Sequence, residues 1–144
     1  MEKSDFDLNQ QNENLESKII AALERISQSF RVLLWDESKE YSLTPIQIQV
    51  LIFILTHSRE KRKVSYLAKE FNMTKATISE TIKILEQKQL ISKEYESDDT
   101  RSFVINLTKI GKSIAEKSSL FSKVFYHPIQ KMNQKDKEKF FFTF

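Results

Sequence analysis

KEYESDDTRSFVINLT, residues 93–108, interrupts a chain that otherwise reads as helix. Two alternating runs of β-branched and aromatic residues flank a tight polar knot, Ser97-Asp98-Asp99-Thr100-Arg101. That pattern predicts a hairpin with strands over Ile91–Tyr95 and Phe103–Leu107. An arginine, Arg101, stands at its tip. Its purpose depends on the elements around it.

Immediately upstream, VSYLAKEF places Val64, Leu67, Ala68 and Phe71 on one face of a short helix, and Asn72-Met73 makes a turn. Thr74 is then suited to cap TKATISETIKILEQKQL. At about 100° per residue, Ile78, Ile82 and Leu85 fall on one inward stripe. The opposite side presents Ala76, Ser79, Glu80 and Lys83, flanked by Lys75 and Thr77. Two short helices joined by a tight turn, the second small and polar outside, make a helix-turn-helix. With the hairpin behind it, this is a winged helix-turn-helix.

Further out, Ser42-Leu43-Thr44-Pro45 is a helix start, since Thr44 can cap and proline suits the first helical position. The IQIQVLIFIL that follows is apolar nearly all round and predicts the buried central helix. Leu15, Ile19, Leu23, Ile26, Phe30 and Leu34 recur at three- and four-residue steps, a long amphipathic helix. Thr108 starts a helix with Ile110, Ile114, Phe121, Val124 and Phe125 as its apolar positions, and Pro128 should end or kink it. The final KDKEKFFFTF gathers Phe140, Phe141, Phe142 and Phe144, a cluster that calls for a cover. A second subunit, meeting this cluster and the first helix, is the expected one.

The composition fits a mainly α fold with a small β-hairpin. The 144 residues contain one glycine, two prolines and no cysteine, which excludes disulfides, thiolate metal sites and a thiol redox sensor. No apolar run is long enough to span a membrane, and the polar, acidic N-terminus has no signal-peptide core, so the cytoplasm is the default address. Residues 1–57 carry 5 Lys/Arg against 9 Asp/Glu, whereas residues 58–112 carry 12 against 8 and residues 113–144 carry 6 against 3. The basic middle and tail permit a polyanion partner; ordinary solvated helix faces would give the same balance. Catalytic parts are missing: His57 and His127 lie in different segments without ligand spacing, and one glycine cannot make a phosphate loop. The expectation is a protein that is not an enzyme and holds no metal or cofactor.

Three pieces, LTPIQIQVLIFIL, VSYLAKEFNMTKATISETIKILEQKQLI and DDTRSFVINLTKIG, together resemble the MarR family of bacterial transcription regulators across nearly the whole chain. The family pattern D-x-R, short strand, L-T-x-x-G corresponds to Asp99-Thr100-Arg101, Phe103 to Asn106, and Leu107 to Gly111. The resemblance implies one domain over residues 1–144, with dimerisation helices at 9–37 and 109–144 and a winged lobe at 43–108. It also implies a homodimer gripping pseudo-palindromic double-stranded DNA, most simply as a repressor. Small aromatic or anionic ligands bound between dimer part and lobe would weaken that grip. Two positions depart from the family pattern. Gln89 stands where members commonly have glycine, so it must turn left-handed or the helix must end differently. Glu80 stands on the outer face of the recognition helix where many members are basic.

Each candidate contact has a plainer alternative. Arg101 suits a narrow minor groove, with Asp99 as support, or it only pairs with Asp98 or Asp99 to hold the hairpin. Lys75, Thr77 and Ser79 lie at a helix start that favours phosphate; Thr74 is a cap first and a phosphate contact second. Glu80 could read a cytosine amino group or pair with Lys75 or Lys83. Lys83 could restore positive charge on that face. The wing itself is acidic, with Glu94, Glu96, Asp98 and Asp99 against Lys93 and Arg101. Lys61, Arg62 and Lys63 are either a non-specific attraction for DNA or a solvated loop. Trp35, Tyr41 and Tyr66 could line a ligand pocket, although core or interface packing is the better account of each. The alternative function is a relative that has lost DNA binding and acts as a protein- or ligand-binding adaptor.

Overall fold

The computed structural model describes residues 14–98, 101–119 and 121–143, and for residues 121–125 the backbone alone. Among the described residues, seven helices and one hairpin follow in the order α1 (Leu15–Glu40), α2 (Pro45–Thr56), α3 (Val64–Glu70), α4 (Lys75–Gln87), β1 (Ile91–Tyr95), β2 (Phe103–Leu107), α5 (Lys109–Ser118), α6 (Phe121–Lys131) and α7 (Gln134–Thr143). A single 3₁₀ turn, Arg59–Lys61, sits between α2 and α3.

The core is the apolar filling of the winged lobe. Ile48, Leu51 and Ile54 of α2 meet Leu67 of α3, Ile78, Ile82 and Leu85 of α4, and Ile105 of β2, all with at most 1% exposure. Each such side chain, fully removed from water, contributes roughly 1.5–3 kcal/mol before the entropy of ordering it is subtracted. The inward stripe of α4 is the one its spacing predicts. Helix α2 starts with a full capping box, the Thr44 and Gln47 side chains each bonding the other's backbone N–H, with Pro45 at its first position.

The hairpin is antiparallel with Ile91 opposite Leu107 and Tyr95 opposite Phe103. Its inner residues Ile91, Val104 and Ile105 are buried. Helix α5 is anchored against the lobe through Thr108, whose hydroxyl accepts the Gly111 N–H at 3.1 Å and donates to the Gln89 carbonyl at 2.8 Å.

Three expectations are revised. The first helix runs on to Glu40, beyond the residue-37 limit, because Ser38 is buried and donates to the Trp35 carbonyl at 2.7 Å. The helix begun at Thr108 stops at Ser118, well before Pro128, where two successive serines, weak helix formers, meet its end. Pro128 then lies inside α6, which continues to Lys131. Proline loses only its own N–H bond and crowds one carbonyl, so a helix with other support can pass through it. Asp99, Leu120 and Phe144, and the side chains of Phe121, Val124 and Phe125, lie outside the described residues.

Candidate nucleic-acid interface

The face formed by α4 and the wing is built from local chemistry upward. Helix α3 ends at Phe71; Asn72 follows with φ 51°, and the Met73 N–H returns to the Ala68 carbonyl at 2.9 Å. This Schellman turn lets Thr74 begin α4 directly. The Thr74 hydroxyl oxygen accepts the Thr77 N–H at 3.1 Å and its carbonyl accepts the Ile78 N–H at 3.1 Å. The remaining first-turn N–H groups of a helix point outward with the positive end of its dipole. Lys75, Ala76, Thr77, Ser79, Glu80 and Lys83 are all exposed on this side.

The wing closes one flank of the same face. Lys75 and Ser79 of α4 share an open groove of about 290 Å³ with Arg101, Ser102 and Phe103 of the wing and with Lys63 to Ser65 at the start of α3. Recognition helix and wing tip therefore address one volume. Arg101 is exposed; Asp99, its expected support, lies outside the described residues. Among the described residues, Lys75, Glu80 and Lys83 are exposed and form no salt bridge with one another, so pairing does not account for Glu80.

The wing's acidity is largely cancelled within the protein. Arg59 bonds Glu94 and lies 3.8 Å from Glu96; Lys63 bonds Glu96 at 2.7 Å. Lys93 bonds Glu86 of α4 at 2.9 Å while its ammonium sits 5.1 Å from the centre of the Phe103 ring. The Arg59 guanidinium, and secondly the Asn106 amide, hold the Glu94 carboxyl below its ordinary range; Lys63 does the same for Glu96. The Arg59 guanidinium is correspondingly pushed up, first by its bond to Glu94. Neither sequence reading of Lys61-Arg62-Lys63 had included this. Arg62 is a brace, its Nε donating to the His57 carbonyl at 2.8 Å, and Lys63 is a partner of the wing.

The three aromatic candidates sit on different segments, Trp35 on α1, Tyr41 just after it and Tyr66 on α3. Trp35 is 55% exposed with the Lys39 ammonium 5.4 Å from its ring centre, and Tyr66 is 46% exposed on α3. Tyr41 packs against the core at the end of α1, its hydroxyl pKa pushed up by burial and then by Glu40 and Glu37. The open grooves along α1, at the wing, between α2 and α5, and at α7 contain none of the three. His57 caps α2 and stacks on Phe53 with ring centres 3.8 Å apart, a structural place. Among the described residues no cluster could hold a metal ion, and no helix is long and apolar enough to cross a membrane.

The family model for the transcriptional regulators SarA/Rot matches residues 32–118, well over half of the chain. Among solved structures the chain is similar to Staphylococcus aureus MepR in its DNA-binding conformation, at 22% identity and a TM-score of 0.72, covering 85% of this chain and 90% of that one. It is also similar to the S. aureus MepR–DNA complex, at 22% identity and 0.63, covering 83% and 88%. A MarR/EmrR-family transcriptional regulator from Acinetobacter sp. ADP1 is similar at 20% identity and 0.64, covering 91% and 92%. Among curated proteins none matches. Identities at this level show the shared fold, and the fold agrees with the resemblance to the MarR family.

Proposed function

The chain belongs to the SarA/Rot family of transcriptional regulators, and from that premise we propose that it binds a pseudo-palindromic DNA site as a homodimer and represses transcription there. The observation that carries this reading is the groove shared by Lys75, Ser79 and Arg101, which turns helix start and wing tip toward one ligand. In the bound state α4 enters the major groove and Arg101 the flanking minor groove. Thr74, Lys75 and Thr77 meet phosphate, while Ala76, Ser79, Glu80 and Lys83 face the base edges. Asp99 orients Arg101.

Relief of repression by a small aromatic or anionic molecule follows from the family resemblance and not from a cavity. Such a ligand would act by favouring a spacing of the lobes that fits DNA poorly. The adaptor reading drew on the acidic wing and on Glu80; the pairing of Glu94 and Glu96 weakens the first support and leaves the second.

The test is selection of bound genomic fragments by the wild type and by Arg101→Ala in parallel. An inverted repeat enriched by the wild type and lost with the variant is the expected result. No enrichment even at low salt, together with partner binding that survives Arg101→Ala, would leave the adaptor as the better reading.

A further inference from the structure

The charged cluster at the root of the wing is more than a brace. The Ile105 N–H bonds the Arg62 carbonyl at 2.9 Å, which lays the 59–63 segment along the hairpin. Arg59 and Lys63 thereby stand on either side of Arg62, opposite Glu94 and Glu96. Each carboxylate is also held by a neutral donor, Glu94 by Asn106 at 2.9 Å and Glu96 by Ser102 at 3.3 Å. The four charges sum to zero. We propose that Glu94 and Glu96 are specificity-determining positioning residues: by occupying Arg59 and Lys63 they withhold two cations per protomer from DNA phosphate, and so hold down binding to DNA of arbitrary sequence.

The argument is one of competition. Carboxylate oxygens meet an ammonium or guanidinium much as phosphate oxygens do. Lys63 borders the same groove as Lys75 and Arg101, so an unoccupied Lys63 would add a contact to any duplex laid there. Non-specific affinity grows with every phosphate neutralised. Discrimination is a ratio of specific to non-specific binding, so removing cations that cannot read sequence raises it. The four side chains are 31–52% exposed, which keeps them within reach of a polyanion. Occupation by the carboxylates, not burial, is what keeps them from it. Both carboxyls are held below their ordinary range and so stay ionised at neutral pH.

The inference rests on the proposed function only in taking this face as the one turned to DNA, and its test needs no operator. Binding to a random-sequence duplex is measured from 50 to 200 mM salt for four proteins: wild type, Glu94→Gln/Glu96→Gln, Arg59→Gln/Lys63→Gln, and all four changes together. Freeing two cations should steepen the log–log salt slope by about 1.8 per protomer, or about 3.6 for a dimer, so the dimer's gain over wild type is roughly a hundredfold larger at 50 mM than at 200 mM. Arg59→Gln/Lys63→Gln alone should leave the wild-type slope unchanged, and the fourfold variant should return to it. A simple effect of net charge predicts instead that Arg59→Gln/Lys63→Gln flattens the slope, and that result overturns the proposal. So does a Glu94→Gln/Glu96→Gln protein that melts lower with its slope unchanged, which would make the cluster structural only. If Glu94→Gln/Glu96→Gln fails to fold, the single changes Glu94→Gln and Glu96→Gln take its place, each expected to steepen the slope by about 0.9 per protomer. A steeper slope without any sequence enriched by the wild type would keep this inference and remove the proposed repressor.

Discussion

Among the described residues, three adopt left-handed backbone in a chain with one glycine: Ser42 at φ 53°, Asn72 at φ 51° and Gln89 at φ 57°. Each follows a helix and closes it the same way, as in the return of the Leu90 N–H to the Leu85 carbonyl at 3.0 Å and of the Gln89 N–H to the Glu86 carbonyl at 2.9 Å. Glutamine is the least suited of the three, since asparagine tolerates this region and glutamine gains nothing there. Gln89→Gly should therefore raise stability by about 0.5–1 kcal/mol, seen as a higher denaturant midpoint with an unchanged slope. A lower midpoint would mean that the Gln89 side chain contributes more than its backbone loses. The one glycine is used elsewhere. A Cβ on Gly111 would lie 1.9 Å from the Leu90 carbonyl oxygen. Both atoms belong to fixed backbone, so Gly111→Ala should lower the melting temperature by roughly 10 °C, as overpacking by a few kcal/mol does. An unchanged melting temperature would show that α5 is free to shift.

At the scale of elements, the end of the recognition helix and the start of α5 are one construction. The Thr108 N–H bonds the Leu90 carbonyl at 3.1 Å, and its hydroxyl bonds the Gln89 carbonyl at 2.8 Å. Any rearrangement of α5 must therefore pull on the C-terminal end of α4. The opposite end of α4 depends on Thr74, whose removal as Thr74→Ala should lower stability by about 1 kcal/mol in denaturant unfolding. Thr74→Asp separates the two roles of this residue. Aspartate also caps, so stability should be retained, while its charge at the helix start should weaken DNA binding in a titration at low salt. Undiminished binding by Thr74→Asp would mean that no phosphate lies at this helix start.

For the whole molecule, a single chain leaves a great deal of apolar surface uncovered. Leu15, Ile19, Leu23 and Ile26 of α1 are 37–69% exposed, and Phe140, Phe141 and Phe142 of α7 are 51–82% exposed. Only Leu34 and Ser38 of α1 are buried, and no described residue of α7 is. Helical stripes of this kind ordinarily find a partner, and a second copy is the simplest one. Ile19→Glu/Ile26→Glu should halve the mass seen by sedimentation. It should also weaken binding to a two-half-site DNA by about a hundredfold or more, because the half-sites are then bound separately. A protein that stays dimeric with both changes has its interface elsewhere.

Most elements of this protein, and the caps that start them, were legible in its residue pattern. The α4 stripe of Ile78, Ile82 and Leu85, the cap at Thr74, the start at Thr44-Pro45 and both strands follow from periodicity and capping chemistry, which act over a few residues. The residue pattern left Gln89 between two conformations, and burial of the adjacent Leu90 in the core belongs to the one observed. The break at Ser119 lay beyond it because the apolar pattern runs on past two serines whose weak helix preference a periodicity reading does not weigh. Only the tertiary structure decided the charge of the wing and the fate of the aromatic trio. Arg59 meets Glu94 across 35 residues and Lys63 meets Glu96 across 33, distances over which no local pattern carries information. Trp35 and Tyr66 are exposed while Tyr41 packs on the core, a difference set by how their helices pack and not by the rings themselves.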